Sequence, residues 1–317
     1  MKKRVLLTDY GFSDITHEKR LILGGGFDLI ESQCKTEEEV IALSEDVDAL
    51  LVQWAPITRR VISQLRNCSV IVRYGIGVDN IDLEAAKDYQ IPVCNVPDYC
   101  VEEVASHTIA LSLALQRRLV ATDQRVRQGV WQILPPGPIL ATSQSTFIVM
   151  GYGRIARSVA GKAAAMGFQV KACDPFVSQE DMDDSGVTKV SFEQALAEAD
   201  ILSLHLPLNG QTRHAFNRQA FEQMKRTAIL INTSRGGLID THELALALSE
   251  GILGGAGLDV FEKEPLENDH PLRHTPNTLL TSHTAWYSEQ SIPLLQRLAA
   301  EEVCRGLSGQ PLKNRVV

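Results

Sequence analysis

TFIVMGYGRIARSVAGKAAAMGFQVKACD, residues 146–174, decides how the chain is built. The β-rich run TFIVM (146–150) ends at a glycine loop. Ile155, Val159, Ala163 and Met166 then recur at helical spacing as far as Gly167, a residue suited to closing a helix. A second run, QVKAC (169–173), leads into Asp174. Strand, loop, helix, strand and acid in that order predict the first half of a dinucleotide-binding fold. Gly151, Gly153 and Ala156 take the G-x-G-x-x-G/A positions: a tight turn, a backbone that can approach a pyrophosphate, and close helix-to-sheet packing. Arg154 and Ile155 open the helix, whose free N–H groups and partial positive charge would face the phosphates. Asp174 lies 23 residues beyond Gly151 (174 − 151), where a carboxylate accepts from an adenosine ribose and repels a 2′-phosphate. The expected cofactor is therefore NAD, not NADP. A glycine turn with an exposed aspartate is the plainer alternative, but it leaves the order of the parts unexplained.

Outward from this segment the same alternation continues. DILSLHL (200–206), AILIN (228–232), GAGLDV (255–260) and TLLTS (278–282) are further strand candidates, separated for the most part by helical stretches such as FEQALAEA, RQAFEQM and HELALALSE. An earlier series, VLLT (5–8), ALLVQW (49–54), VIVRY (70–74) and PVCNV (92–96), predicts a second parallel sheet with helices on both faces. Between the two, a wide apolar helix runs from an Asp98 cap to about Arg118, followed by the Pro- and Gly-bearing connection LPPGPILATSQ (134–144). The fold class is α/β with two doubly wound parallel-sheet domains.

Composition agrees with an ordinary folded protein: 317 residues, 44% apolar and 22% charged, enough for two cores. A net charge of −8 gives no general attraction for nucleic acid or an anionic membrane. MKKRVLLTDYGF has too short an apolar stretch for a signal peptide, and no run reaches membrane-spanning length, so the expected location is cytoplasmic. Six cysteines without a CxxC pair read as reduced thiols, and HPLRH (270–274), interrupted by Pro271, is not expected to bind metal.

In an open α/β sheet, ligands bind beyond the carboxyl ends of the strands. Arg235 follows AILIN, Glu264 follows GAGLDV and His283 follows TLLTS, so three strands deliver an arginine, a glutamate and a histidine to one edge. A guanidinium can hold a carboxylate in bidentate fashion, an imidazole can exchange a proton near neutral pH, and a glutamate can orient the ring. Taken singly they could be a surface arginine, one more charge in a charged loop, and a core histidine.

These motifs give the chain a close resemblance to the D-isomer-specific 2-hydroxyacid dehydrogenases. It extends over nearly the whole sequence: RYGIGVDNID (73–82), VCNVPDYCVEEVA (93–105), GYGRIA, NTSRGGLID, GLDVFEKEP and HTAWYSEQ. CNVP and AWYSEQ resemble the branch that contains the C-terminal binding proteins. The resemblance implies a Rossmann cofactor domain (99–285) inserted into a flavodoxin-like substrate domain (1–98 and 286–317), and a homodimer. It also implies a reversible hydride transfer between NADH and a small 2-oxo acid. Position by position, Arg235 matches the substrate-binding arginine, Glu264 its histidine-pairing glutamate, and His283 the acid/base. Gly75 and Ile76 of the loop Tyr74–Gly77 match the backbone donors to the substrate carboxylate, and Arg73 and Trp286 match pocket-lining positions. Asp259 matches the nicotinamide-carboxamide acceptor, Pro207, Thr212 and Thr233 further dinucleotide contacts, and Val104 a neighbour of the nicotinamide.

The sequence departs from the family pattern at Gln144 and Ile148, where glycines are usual, at Ala156, and at Ser282, often a proline before the histidine. The last leaves the orientation of His283 less constrained. The competing function implied by the branch is an NAD(H)-responsive dimeric co-repressor scaffold with weak activity; the full Arg-Glu-His set favours the enzyme.

Overall fold

Pairing of like-directed strands organises everything the computed structural model describes, residues 2–135 and 137–317. The chain divides into two units, one of Met1–Cys100 with Tyr287–Val317, the other Val101–Trp286.

The first unit runs β1 (Arg4–Leu7), α1 (Thr16–Gly24), β2 (Asp28–Glu31), α2 (Glu37–Ser44), β3 (Ala49–Val52), α3 (Arg59–Ile62), β4 (Val70–Arg73), α4 (Leu83–Asp88) and β5 (Val93–Cys94). Its sheet has the order β2-β1-β3-β4-β5, the flavodoxin-like arrangement, and every pair is parallel. Leu6, Leu50, Val52, Ile71 and Val93 share one core with Val40, Val61, Ile62 and Ala85 from the helices α2 to α4. Thr36 caps α2 through a capping box with Glu39, as its TEEE sequence dictates.

The second unit comprises α5 (Val101–Gln116), α6 (Leu119–Arg127), β6 (Thr146–Met150), α7 (Arg154–Ala165), β7 (Gln169–Cys173), α8 (Glu180–Asp183), β8 (Thr188–Lys189), α9 (Phe192–Glu198), β9 (Ile201–Leu204), α10 (Arg218–Gln223), β10 (Ile229–Asn232), α11 (Thr241–Ser249), β11 (Gly255–Leu258) and β12 (Thr278–Leu280). Its sheet reads β12-β11-β10-β9-β6-β7-β8, again all parallel. From β6 the chain winds outward to β8, then returns across β6 to β9 and on to β12. The switch point, where ligands bind in such sheets, thus lies between β6 and β9. Side chains alternate across it: Ile148, Met150, Leu202, Leu204 and Leu230 enter one core, and Phe147, Val149, Ile201 and Ile231 the other, beneath α5 and α7. The chain then returns to the first unit as α12 (Ser291–Leu307), which packs on α1, β3 and β4. Its tail bonds to the β5 edge, Val316 N–H to Val93 O at 2.7 Å.

Both sheets carry one strand that the sequence did not announce. β2 and β8 are short edge strands, half in water, without the apolar run that marks the others. The apolar helix begins at Val101, not after an Asp98 cap, and stops at Gln116; Arg118 turns through φ +56° into α6, none of whose residues is buried.

Gly236, directly after Arg235, is buried against the backbone of Phe261 and Glu262, and a Cβ there would overlap Phe261 C and O and Glu262 N. Gly236→Ala is expected to lower the melting temperature, by a destabilisation of about 1–3 kcal/mol, and to impair the site built on this loop. An unchanged thermal scan would mean that the two loops separate without cost.

Candidate active site

At the switch point the glycine loop is pressed against β9. Gly151 has φ +88°, and a Cβ on it would lie 2.7 Å from His205 O, so only glycine fits. Gly153 is the contrary case: a Cβ there would meet nothing within 4 Å, which leaves the loop open above. Gly153 is also the N-cap of α7 and supplies no capping side chain, so the first turn of a 12-residue helix offers its N–H groups outward, with Arg154 and Ile155 beginning it. Asp174 leans back over this loop. It accepts Tyr152 N–H at 2.8 Å on Oδ2 and Phe176 N–H at 2.8 Å on Oδ1, and each oxygen keeps a lone pair for a ribose hydroxyl. Open loop, uncapped helix and tethered carboxylate fit a dinucleotide.

Beyond β9, Thr212 donates its hydroxyl to Pro207 O at 2.7 Å and closes the loop between them. Thr233, beyond β10, shares a 2.9 Å hydroxyl bond with Thr108, one turn along α5 from the buried Val104. Asn232 shapes the next turn, taking Ser234 N–H at 3.0 Å and donating to Arg235 O at 2.8 Å.

Glu264 and His283 meet. His283 Nδ1 lies 2.7 Å from Glu264 Oε2, while Oε1 of the same carboxylate accepts Phe261 N–H at 2.9 Å. Both oxygens are thereby fixed, the ring presents Nδ1–H to the glutamate, and Nε2 is the nitrogen left for proton exchange. Burial pushes the Glu264 carboxyl upward, but the bonds from His283 and Phe261 with the charges of His283 and Arg235 outweigh it and hold it below its usual value. The carboxylate therefore stays ionised beside the imidazole.

Asp259 does more than its sequence position suggested. Only 1% exposed, it accepts Thr281 Oγ1–H at 2.6 Å and Thr284 N–H at 2.9 Å on Oδ1, and Ala285 N–H at 2.9 Å on Oδ2. Its main-chain oxygen takes His283 N–H at 2.8 Å. One lone pair on Oδ2 is uncommitted, enough for a carboxamide donor. Three more groups escaped the sequence reading: His107, 3.0 Å from Thr281 Oγ1, and the pair His214–Glu262, which ties the loop after β9 to the segment carrying Glu264. Trp286 is half-buried at the end of this unit. Among the described residues, no group of three or more His, Cys, Asp or Glu could hold a metal ion, and no helix is long and apolar enough to cross a membrane.

The remaining sequence candidates belong to the first unit, at the carboxyl end of β4. The Tyr74 ring is buried in that unit's core, donating its hydroxyl to Glu18 at 2.6 Å and meeting Phe12 edge-on, and its N–H donates to Val52 O at 2.7 Å, so this residue is committed within the unit. Gly75 has φ +123° with the Arg73 guanidinium folded over it; Gly75 O accepts Val96 N–H and Ile76 O accepts Asn95 Nδ2–H.

Comparison with known proteins accords with this arrangement. Residues 109–285 match the family D-isomer specific 2-hydroxyacid dehydrogenase, NAD binding domain. A glyoxylate reductase of Korarchaeum cryptofilum is 34% identical over 100% of this chain and 96% of its own length. A D-3-phosphoglycerate dehydrogenase of Synechocystis sp. is 35% identical over 89% of this chain, which spans only 50% of that longer protein. Among solved structures, a D-lactate dehydrogenase from Aquifex aeolicus, complexed with NAD and lactic acid, superposes with a TM-score of 0.90 at 28% identity, covering 99% of each chain. With the glycine loop, the tethered Asp174 and the match across the second unit, this chain belongs to the D-isomer specific 2-hydroxyacid dehydrogenases, a family of NAD-dependent oxidoreductases acting on CH–OH groups, and carries their NAD-binding domain.

Proposed function

We propose that the protein is an NAD-dependent D-2-hydroxyacid dehydrogenase in which His283 is the proton donor for reduction of a 2-oxo acid and the acceptor in reverse. The observation that carries this reading is the 2.7 Å contact between His283 Nδ1 and an ionised Glu264. Glu264 orients the ring, so that Nε2 delivers a proton to the carbonyl oxygen. When bound, NADH supplies the hydride to C2. Arg235 holds the substrate carboxylate and polarises the carbonyl, and the backbone N–H groups of Gly75 and Ile76 are further partners for that carboxylate. Arg73 and Trp286 line the side-group pocket, and residues 1–98 with 286–317 form the substrate domain. Asp174 takes the ribose hydroxyls, Asp259 the carboxamide, and Pro207, Thr212, Thr233 and Val104 complete the seat.

Glyoxylate, hydroxypyruvate, pyruvate, phenylpyruvate, 4-methylthio-2-oxobutyrate, 2-oxoglutarate and phosphohydroxypyruvate span the acids named by the relatives and the larger side groups that Trp286 could face. NADH oxidation with at least one of them is expected at enzymatic rates, and His283→Ala should lower turnover ~10²–10⁴-fold with NADH affinity nearly unchanged. Wild-type turnover in that variant would remove His283 from the chemistry. Tight NADH binding without turnover of any acid would favour the scaffold reading that CNVP and AWYSEQ raise.

Asp174→Ala is expected to weaken NADH binding and to relax discrimination against NADPH, read as the ratio of kcat/KM for the two cofactors. An unchanged ratio would mean that the ribose is held elsewhere.

The expected partner is a second copy of the chain. The α6 helix buries none of its residues, and Trp131, Ile133 and Leu134 just beyond are 84%, 95% and 78% exposed, an apolar run that a monomer rarely leaves bare. Sedimentation equilibrium should give twice the chain mass, and Trp131→Glu combined with Ile133→Glu should give the monomer. A monomeric wild-type protein would end the dimer proposal.

A further inference from the structure

Among the described residues, His283 is one of five non-glycine residues with positive φ, at +56°. For a residue with a Cβ this conformation is sterically strained, and it persists only where the surroundings over-determine it. Here the surroundings are the Asp259 bonds already described: three consecutive backbone N–H groups, of His283, Thr284 and Ala285, all end on this one residue.

The aspartate is braced in turn. Thr281 Oγ1 lies 2.6 Å from Asp259 Oδ1 and 3.0 Å from His107 Nε2. A hydroxyl has one proton to give, and an ionised carboxylate can only accept, so the Thr281 proton goes to Asp259. Toward His107 the hydroxyl must then accept, which requires the proton of that imidazole to sit on Nε2. The polarity of the chain is fixed: His107 N–H donates to the Thr281 hydroxyl, Thr281 O–H donates to Asp259, and the backbone N–H groups around His283 donate to that same Asp259. His107 stands on the 16-residue helix α5, which packs on β10, β11 and β12, so the brace runs from a rigid helix to the loop.

We propose that His107 and Thr281 are positioning residues for the reaction, holding through Asp259 the left-handed backbone from which His283 reaches its substrate. The proposal rests on the reading of His283 as the proton donor. Without the brace the loop is free to relax toward ordinary φ, and the ring leaves its line with Glu264; a small misplacement of a reacting group is costly to turnover.

The test compares removal with conservative replacement, in full-length protein with active sites counted by NADH titration. Thr281→Val and His107→Phe keep the shapes and delete the donors; Thr281→Ser and His107→Gln keep them. Expected are a fall in kcat of at least about tenfold for the first two, a KM for NADH within about twofold of wild type, and recovery of most of the rate in the second two. Wild-type kcat in Thr281→Val or His107→Phe would overturn the proposal, as would a loss confined to the NADH KM, or a loss that Ser and Gln do not restore. Should Thr281→Val fail to fold, the His107 pair decides alone, since that side chain is 25% exposed and tolerates exchange. His283→Ala separates the two claims. If it is inactive while Thr281→Val is fully active, the brace alone is wrong; if it is active, both fall.

Discussion

A sheet whose strands all run one way sends every chain exit to the same edge, and the chemistry of this protein follows from that constraint. Right-handed crossovers return each strand parallel to the last, so the loops after β6, β9, β10, β11 and β12 arrive together although they span residues 151 to 286. Nothing else in the second unit needs to be arranged for the loops that carry Gly151, Thr212, Arg235, Glu264 and His283 to leave along that one edge. What remains is to hold each loop in a single conformation once it has left the sheet.

That task falls largely to carboxylates that accept main-chain N–H groups. Asp174 fixes Tyr152 and Phe176, Glu264 fixes Phe261, and Asp259 fixes Thr284 and Ala285. Each keeps some acceptor capacity for a ligand or a catalytic partner, so the same group both shapes its loop and presents it. A loop without regular hydrogen bonds would otherwise satisfy its N–H groups with water and sample many conformations.

Much of this is legible in the amino-acid sequence. The strand runs, the glycine loop and Asp174 are contiguous signals, each contained in a few residues with their own periodicity, and their order gave the fold. The candidate Arg-Glu-His set was readable for a related reason, since each member lies in the loop that leaves a strand, β10, β11 or β12. What was not legible lacks either periodicity or proximity. β2 and β8 carry few apolar residues because edge strands face water, and α6 has no buried side to betray it. The His107–Thr281 bond joins residues 174 positions apart, and only the packing of α5 on β12 brings them together. Tyr74, read beside the substrate loop, turns its ring into the core instead, because a donor to the buried Glu18 is worth more there than in water.

The first unit is made of two stretches of chain, and its closing helix α12 and the tail that pairs with β5 come from residues beyond 286. On the ribosome, therefore, the contiguous second unit has all its strands before the first unit has its last helix. Domains fold as units and in order of synthesis, so the nucleotide fold is complete while α1, β3 and β4 still await the surface that covers them. The half of the molecule synthesised first is the half finished last, because α12, which covers α1, β3 and β4, follows the whole of the second unit in the chain.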